Sequence, residues 1–155
     1  MDTKIDSIQI KPKNYFKRVF PIFLYPTLVC SIIILYVSYS HHSFSLVDLL
    51  VLIFIIFFFL IRSLFWSKTY ITEILFMPSE IKITYEEFNH TKNFSIDLNK
   101  VIVVFDRPYA GRGTSRKLII ASKANSIKIK QYQIGDWTKE KIENTYNQLQ
   151  DIIKL

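Results

Sequence analysis

Two long runs of apolar side chains limit what this chain can fold into. From Val19 to Tyr39 there are 21 consecutive uncharged residues, "VFPIFLYPTLVCSIIILYVSY". A helix rising about 1.5 Å per residue would carry this run across about 31 Å, the thickness of a bilayer core. The second run, "LVDLLVLIFIIFFFLIRSLFW", covers Leu46 to Trp66. Its charge-free centre, Leu49 to Ile61, has 13 residues, a length that also suits a buried core helix. Asp48 and Arg62 stand near its ends, where charged groups reach headgroups and water, so the run out to Trp66 is long enough to span. "LLVLIFIIFFFLI" has no helical periodicity, as expected for a helix that is apolar all round.

The first run is too long for the roughly 7–15-residue core of a cleaved signal peptide, and no A-x-A site follows it. It reads as an uncleaved anchor. The connection "SHHSFS" is short, so the two helices form an antiparallel hairpin. That connection has no Lys or Arg, whereas residues 1–18 carry five: Lys4, Lys11, Lys13, Lys17 and Arg18. Arg62 and Lys68 flank the far end of the second span. The positive-inside rule then places the protein in the inner or plasma membrane as a multi-pass chain with both termini cytoplasmic. Tyr36, Tyr39, Trp66 and Tyr70 fall where an aromatic belt forms. Pro21 sits near a helix start, where proline is tolerated, and Pro26 should kink or loosen the helix. Cys30, His41–His42 and Asp48 read as an apolar helix residue, a polar loop and a snorkelling carboxylate, in preference to a thiol site, a metal site and a proton relay.

Beyond Trp66 the texture changes. Residues 67–155 hold 14 Lys or Arg and 10 Asp or Glu, enough chain for one small core. Strand signals follow in order: "YITEILF" from Tyr70, "IKITY" from Ile81, "FSIDL" from Phe94, "VIVVF" from Val101, "KLIIAS" from Lys117 and "SIKIKQY" from Ser126. Their alternation predicts half-buried antiparallel strands, with "MPSE", "FNHTK", "DLNK" and "SKAN" as turns. His90 falls in the second of these turns. The chain closes with an amphipathic helix over 137–154. Asp136 or Thr138 can cap it, its stripe is Ile142, Tyr146, Leu149 and Ile153, and Trp137 stands at its entrance. The expected fold class is a two-helix transmembrane hairpin followed by an α+β domain. The domain organisation is a basic N-terminal segment over 1–18, the hairpin over 19–66 and the strand-rich domain over 67–155.

This layout, with "FSIDLNKVIVV" midway and "QYQIGDWTKEKIENTYNQL" near the end, resembles the bacterial membrane-anchored pleckstrin-homology-like proteins, including the YcxB-like group. The likeness runs from about Tyr15 onward and rests on layout rather than on a diagnostic motif. It implies a bent antiparallel sandwich or partly open barrel capped by the C-terminal helix. It implies little about activity, because such folds host lipid, peptide and protein binding alike.

Catalysis requires a nucleophile, a base or a metal set in mutual reach. The strand-rich region has one histidine and no cysteine, and Glu86–Glu87 point to opposite faces of a strand. We therefore expect no enzyme activity, no catalytic residues, no metal and no cofactor. "GRGTSRK" has its glycines too close for a nucleotide-binding loop and lies between strands. The remaining candidate site is "DRPYAGRGTSRKL". Arg107, Arg112, Arg116 and Lys117 lie within 11 residues, against the single acid Asp106. Gly111 and Gly113 allow a backbone nest for an anion. A solvated hairpin connection is the plainer reading of the same loop. If the strands alternate in direction, "FNHTK" and the basic loop lie at the membrane end of the domain. If residues 94–105 form one long strand, the loop points away.

The expected function is therefore a non-enzymatic membrane protein whose domain binds anionic lipid headgroups or a membrane or cytoplasmic protein partner. The alternative is an assembly or immunity-type subunit acting through its transmembrane helices. A homo-oligomer is compatible with the sequence. Nucleic-acid binding is not expected, because the net charge of +7 is accounted for by topology and no stacking platform alternates with the basic residues.

Overall fold

The computed structural model describes residues 7–40, 45–106, 117–124 and 127–153. The chain forms two compact units, one of Tyr15–Ser67 and one of Met1–Asn14 with Lys68–Leu155.

The first unit is a pair of helices, α1 (Tyr15–Ser40) and α2 (Leu46–Ser67). Both are long and apolar enough to cross a membrane, and only 6% of each apolar window is buried. The side chains that make these helices apolar therefore face outward. Tyr15 Oη donates to the Leu64 carbonyl at 3.1 Å, so the start of α1 meets the end of α2 and the helices run antiparallel. α1 starts four residues before the expected Val19 and continues through Pro21 and Pro26. Pro26 has no amide to offer the carbonyl one turn back, that of Ile22. At the next position the Thr27 hydroxyl donates to the Phe23 carbonyl at 2.6 Å, a side-chain bond beside the gap in the ladder. Asp48 has a definite local role. Its carboxylate accepts from the Ser45 amide at 2.9 Å, while the Ser45 hydroxyl caps the Asp48 amide at 3.2 Å. This reciprocal box starts α2. At the other end, the Arg62 guanidinium stacks 4.0 Å from the Trp66 ring centre. His41 and His42 lie outside the described residues.

The second unit is antiparallel sheet with a C-terminal helix. β1 (Ser7–Gln9), β2 (Thr69–Phe76), β3 (Glu80–Glu87) and β4 (His90–Asp97) form one sheet in that order. β5 (Val101–Asp106), β6 (Lys117–Ser122) and β7 (Lys128–Tyr132) form the other. A 3₁₀ turn over Leu98–Lys100 separates β4 from β5, so residues 94–105 are not one continuous strand. α3 (Lys139–Ile153) ends the chain. One core joins both sheets and α3, with Tyr70, Ile71, Ile74, Ile81, Ile83, Leu118, Ile120, Trp137, Ile142 and Leu149 fully buried.

Sequence reading places no element in residues 1–18, yet Ser7–Gln9 pairs with β2, Ile8 opposite Ile74 and Gln9 opposite Glu73. Ile10 extends the pairing through its amide to the Thr72 carbonyl at 2.8 Å and is itself buried in the core. The sheet therefore draws one strand from before α1 and the next from after α2.

β2 also departs from strict alternation. Its register with β3 shifts between Ile71 and Glu73, a bulge that turns both Tyr70 and Ile71 inward. The Ile71 backbone is then satisfied by side chains from elsewhere in the unit. The fully buried Gln131 accepts from the Ile71 amide at 2.7 Å, and Trp137 Nε1 donates to the Ile71 carbonyl at 2.8 Å. Gln131 donates in turn to the Tyr132 carbonyl at 2.7 Å. These bonds join the two sheets at the start of β2, where an unsatisfied amide would cost about 1–3 kcal/mol.

α3 starts two residues later than the expected 137. Thr138 caps it by accepting from the Lys141 amide at 3.2 Å, and Asp136 instead pairs with Lys13 at 2.8 Å. The buried face is Ile142, Thr145 and Leu149, with Tyr146 and Ile153 partly covered.

Candidate functional site

Of the six residues singled out for anion binding, Arg107, Gly111, Arg112, Gly113 and Arg116 lie outside the described residues. Lys117 is the first residue of β6. It stands opposite Asp106, the last residue of β5, and their side chains meet at 2.6 Å. The Asp106 carboxylate raises the Lys117 pKa by accepting its hydrogen bond, so this lysine stays charged and committed to the root of the loop. Sequence reading counts Lys117 among the anion ligands. The geometry instead gives it a partner on the neighbouring strand.

The position of this root within the unit follows from the strand pairing. Lys117 is opposite Tyr132 and Leu118 is opposite Gln131. Gln131 is bonded to Ile71, the third residue of β2. The root of the basic loop therefore belongs to the end of the unit where β2 begins.

A second cluster occupies the same end, and sequence reading missed it. The turn between β3 and β4 is only Phe88–Asn89, because Glu87 pairs directly with His90. His90 is thus a strand residue and not part of a longer "FNHTK" turn. The Phe88 amide donates to the Lys68 carbonyl at 2.7 Å. Glu87 sits between two ammonium groups, 2.9 Å from Lys68 and in direct contact with Lys92. Hydrogen bonds from Lys92 and Lys68 hold the Glu87 pKa down at about 2, and Glu87 in turn raises that of Lys92. Phe88 has φ of 58° and remains 44% exposed, with the Lys68 ammonium 5.7 Å from its ring centre. The local signal was "EEFNH", a break in the alternation just two residues long.

A polar groove of about 510 Å³ lies between β1 and α3, lined by Ser7, Gln9, Glu140, Lys141, Asn144 and Gln148 among others. Among the described residues no cluster of three or more His, Cys, Asp or Glu is placed to hold a metal ion. Comparison with protein-family models, curated proteins and solved structures returns no match.

Proposed function

We propose that this chain is a non-enzymatic integral membrane protein that presents a pleckstrin-homology-like domain at the cytoplasmic face of the inner or plasma membrane, where it holds anionic lipid headgroups. The observation that carries this reading is the pairing of β1 with β2. β2 starts at Thr69, two residues after a 22-residue apolar helix, and its sheet neighbour β1 comes from the segment that precedes the other apolar helix. Hydrogen-bonded strands in one sheet cannot lie on opposite sides of a bilayer, which supports a hairpin whose two ends emerge on one side. The basic residues of the N-terminal segment select the cytoplasm as that side. Two antiparallel sheets, of four and three strands, with a C-terminal helix support the pleckstrin-homology-like reading.

The root of the basic loop belongs to the end of the domain where β2 begins, which favours lipid phosphate as the ligand. Each Lys or Arg close to an anionic surface contributes about 1 kcal/mol. That is too little to recruit a soluble protein and enough to orient one already anchored. The antiparallel pairing of residues 7–10 with 72–75 also allows the domain to be prepared without its spans. Residues 1–14 joined to 68–155 by a short Gly-Ser linker reproduce the whole unit. In vesicle flotation this protein is expected to bind anionic vesicles over neutral ones and to lose the preference when Arg107, Arg112 and Arg116 become Ala. Equal binding to both vesicles, or no response to the substitutions, overturns the lipid reading.

A protein partner is the second reading, favoured by the polar groove beside β1. That strand has three residues and, among the described residues, one unpaired edge, which an extended peptide can join. The outward apolar faces of α1 and α2 are what an assembly or immunity-type subunit would use. Crosslinking in native membranes that recovers only monomer counts against that alternative.

A further inference from the structure

The β3–β4 turn has an unusual occupant: a two-residue hairpin requires a positive φ at its first position but does not require an aromatic side chain there. Phe88 occupies the left-handed region at φ 58°, where a side chain is disfavoured and glycine is the natural occupant. It is also a large apolar side chain left 44% exposed at the tip of a hairpin. Glycine would fill the position at lower cost, so a half-exposed phenyl ring at the turn is suited to meeting an apolar environment beyond the domain.

Chain continuity supplies that environment. The Phe88 amide is hydrogen-bonded to the Lys68 carbonyl, and Lys68 is one peptide bond from Ser67, the last residue of α2. With 22 residues, α2 extends about 33 Å, so a membrane-crossing α2 ends at the edge of the roughly 30 Å hydrocarbon core. The headgroup layer beyond it is about 5–7 Å deep on each side. The hydrogen bond to Lys68 keeps the Phe88 backbone within that layer. The local charges are balanced, Lys68 and Lys92 against Glu87 and the neighbouring Glu86, so attraction to anionic lipid is not the driving force.

We propose that the β3–β4 turn is an interfacial membrane contact, in which Phe88 enters the headgroup–acyl boundary beside the exit of α2 and holds the domain down on the bilayer. The contact is apolar and forms on neutral lipid, unlike the binding assigned to the basic loop. It rests on the reading of α2 as a membrane span. The Lys68–Glu87–Lys92 bridge stiffens the base of the turn and keeps polar groups at headgroup level while the ring is buried.

The test uses the full chain with Cys30→Ser, reconstituted in phosphatidylcholine vesicles and labelled at one introduced cysteine with an environment-sensitive fluorophore. The label is placed at Phe57 within α2, at Phe88, at Asn89 or at Ser79 in the β2–β3 turn, and quenching by bilayer-embedded brominated lipid is measured. Expected are strong quenching at 57, clear quenching at 88 and 89, and none at 79. The label at 89 leaves Phe88 intact, and adding Phe88→Gly there is expected to reduce quenching at least twofold. Quenching at 88 and 89 no greater than at 79, or no response to Phe88→Gly, overturns the contact while leaving the span in place. Absence of quenching at 57 overturns the span itself, and the contact with it.

Discussion

Ile10 provides the most direct test of how this domain is assembled. It precedes α1 by five residues, yet it is only 6% exposed and packs in the core of the unit that follows α2. Its amide donates to the carbonyl of Thr72, the bulge residue of β2. Replacement by Ala removes three methyl-sized carbons from a packed site. A buried Ile→Ala change costs about 2–5 kcal/mol, and a position at the end of an edge strand belongs at the low end, about 2–3 kcal/mol. For a domain of about 100 residues, each kcal/mol shifts the melting temperature by about 4–8 °C. Ile10→Ala should therefore lower the midpoint of the linked unit, residues 1–14 joined to 68–155, by about 10–20 °C in a circular-dichroism melt. Ser7→Ala, on the exposed face of the same strand, should change it by no more than about 2 °C, as for surface substitutions in general. If the two substitutions act alike, β1 does not contribute to the core and this assembly is wrong. Residues 68–155 alone should likewise be markedly less stable than the linked unit.

Two further perturbations probe the interior and the turn. Trp137→Phe keeps most of the ring but removes the donor to the Ile71 carbonyl, and Gln131→Met removes the acceptor for the Ile71 amide; each is expected to cost about 1–3 kcal/mol in urea unfolding, with the double variant costing less than the sum of the two. Glu87 is held at about 2 against an ordinary value of 4.5, so its ion pairs stabilise the folded state above about pH 5 and that stabilisation is lost as the pH falls toward 2. For exposed pairs of this kind the loss is at most about 1 kcal/mol, and Glu87→Gln should flatten the acid limb of a stability–pH curve by that amount.

Periodicity made the strands from β2 to β7 visible. "IKITY" and "SIKIKQY" alternate, and Ile81, Ile83 and Ile129 are buried accordingly, whereas Ile127 precedes β7 and is 40% exposed. The same parity put Gln131 on the inward side with Ile129 without showing why a polar residue belonged there. Its partner, the Ile71 amide, lies 60 residues away and is freed only by the bulge in β2. Trp137 marked the approach to the last helix, but its bond to the Ile71 carbonyl spans 66 residues and has no local signature. The basic loop was conspicuous in composition. The Lys68–Glu87–Lys92 cluster was not, because strand pairing brings its members together from separate parts of the chain.

Length and hydropathy were sufficient to define two helices able to cross a membrane, because both properties are local and accumulate residue by residue. Alternation defined most of the strands for the same reason, and an apolar stripe defined α3. The completion of the domain by a strand from the far side of the hairpin depended on pairing between Ser7–Gln9 and Glu73–Leu75. Three residues carry too little pattern to announce a strand. Their conformation is settled by the open edge of β2 and by the apolar space that Ile10 fills, and neither exists until the chain has folded.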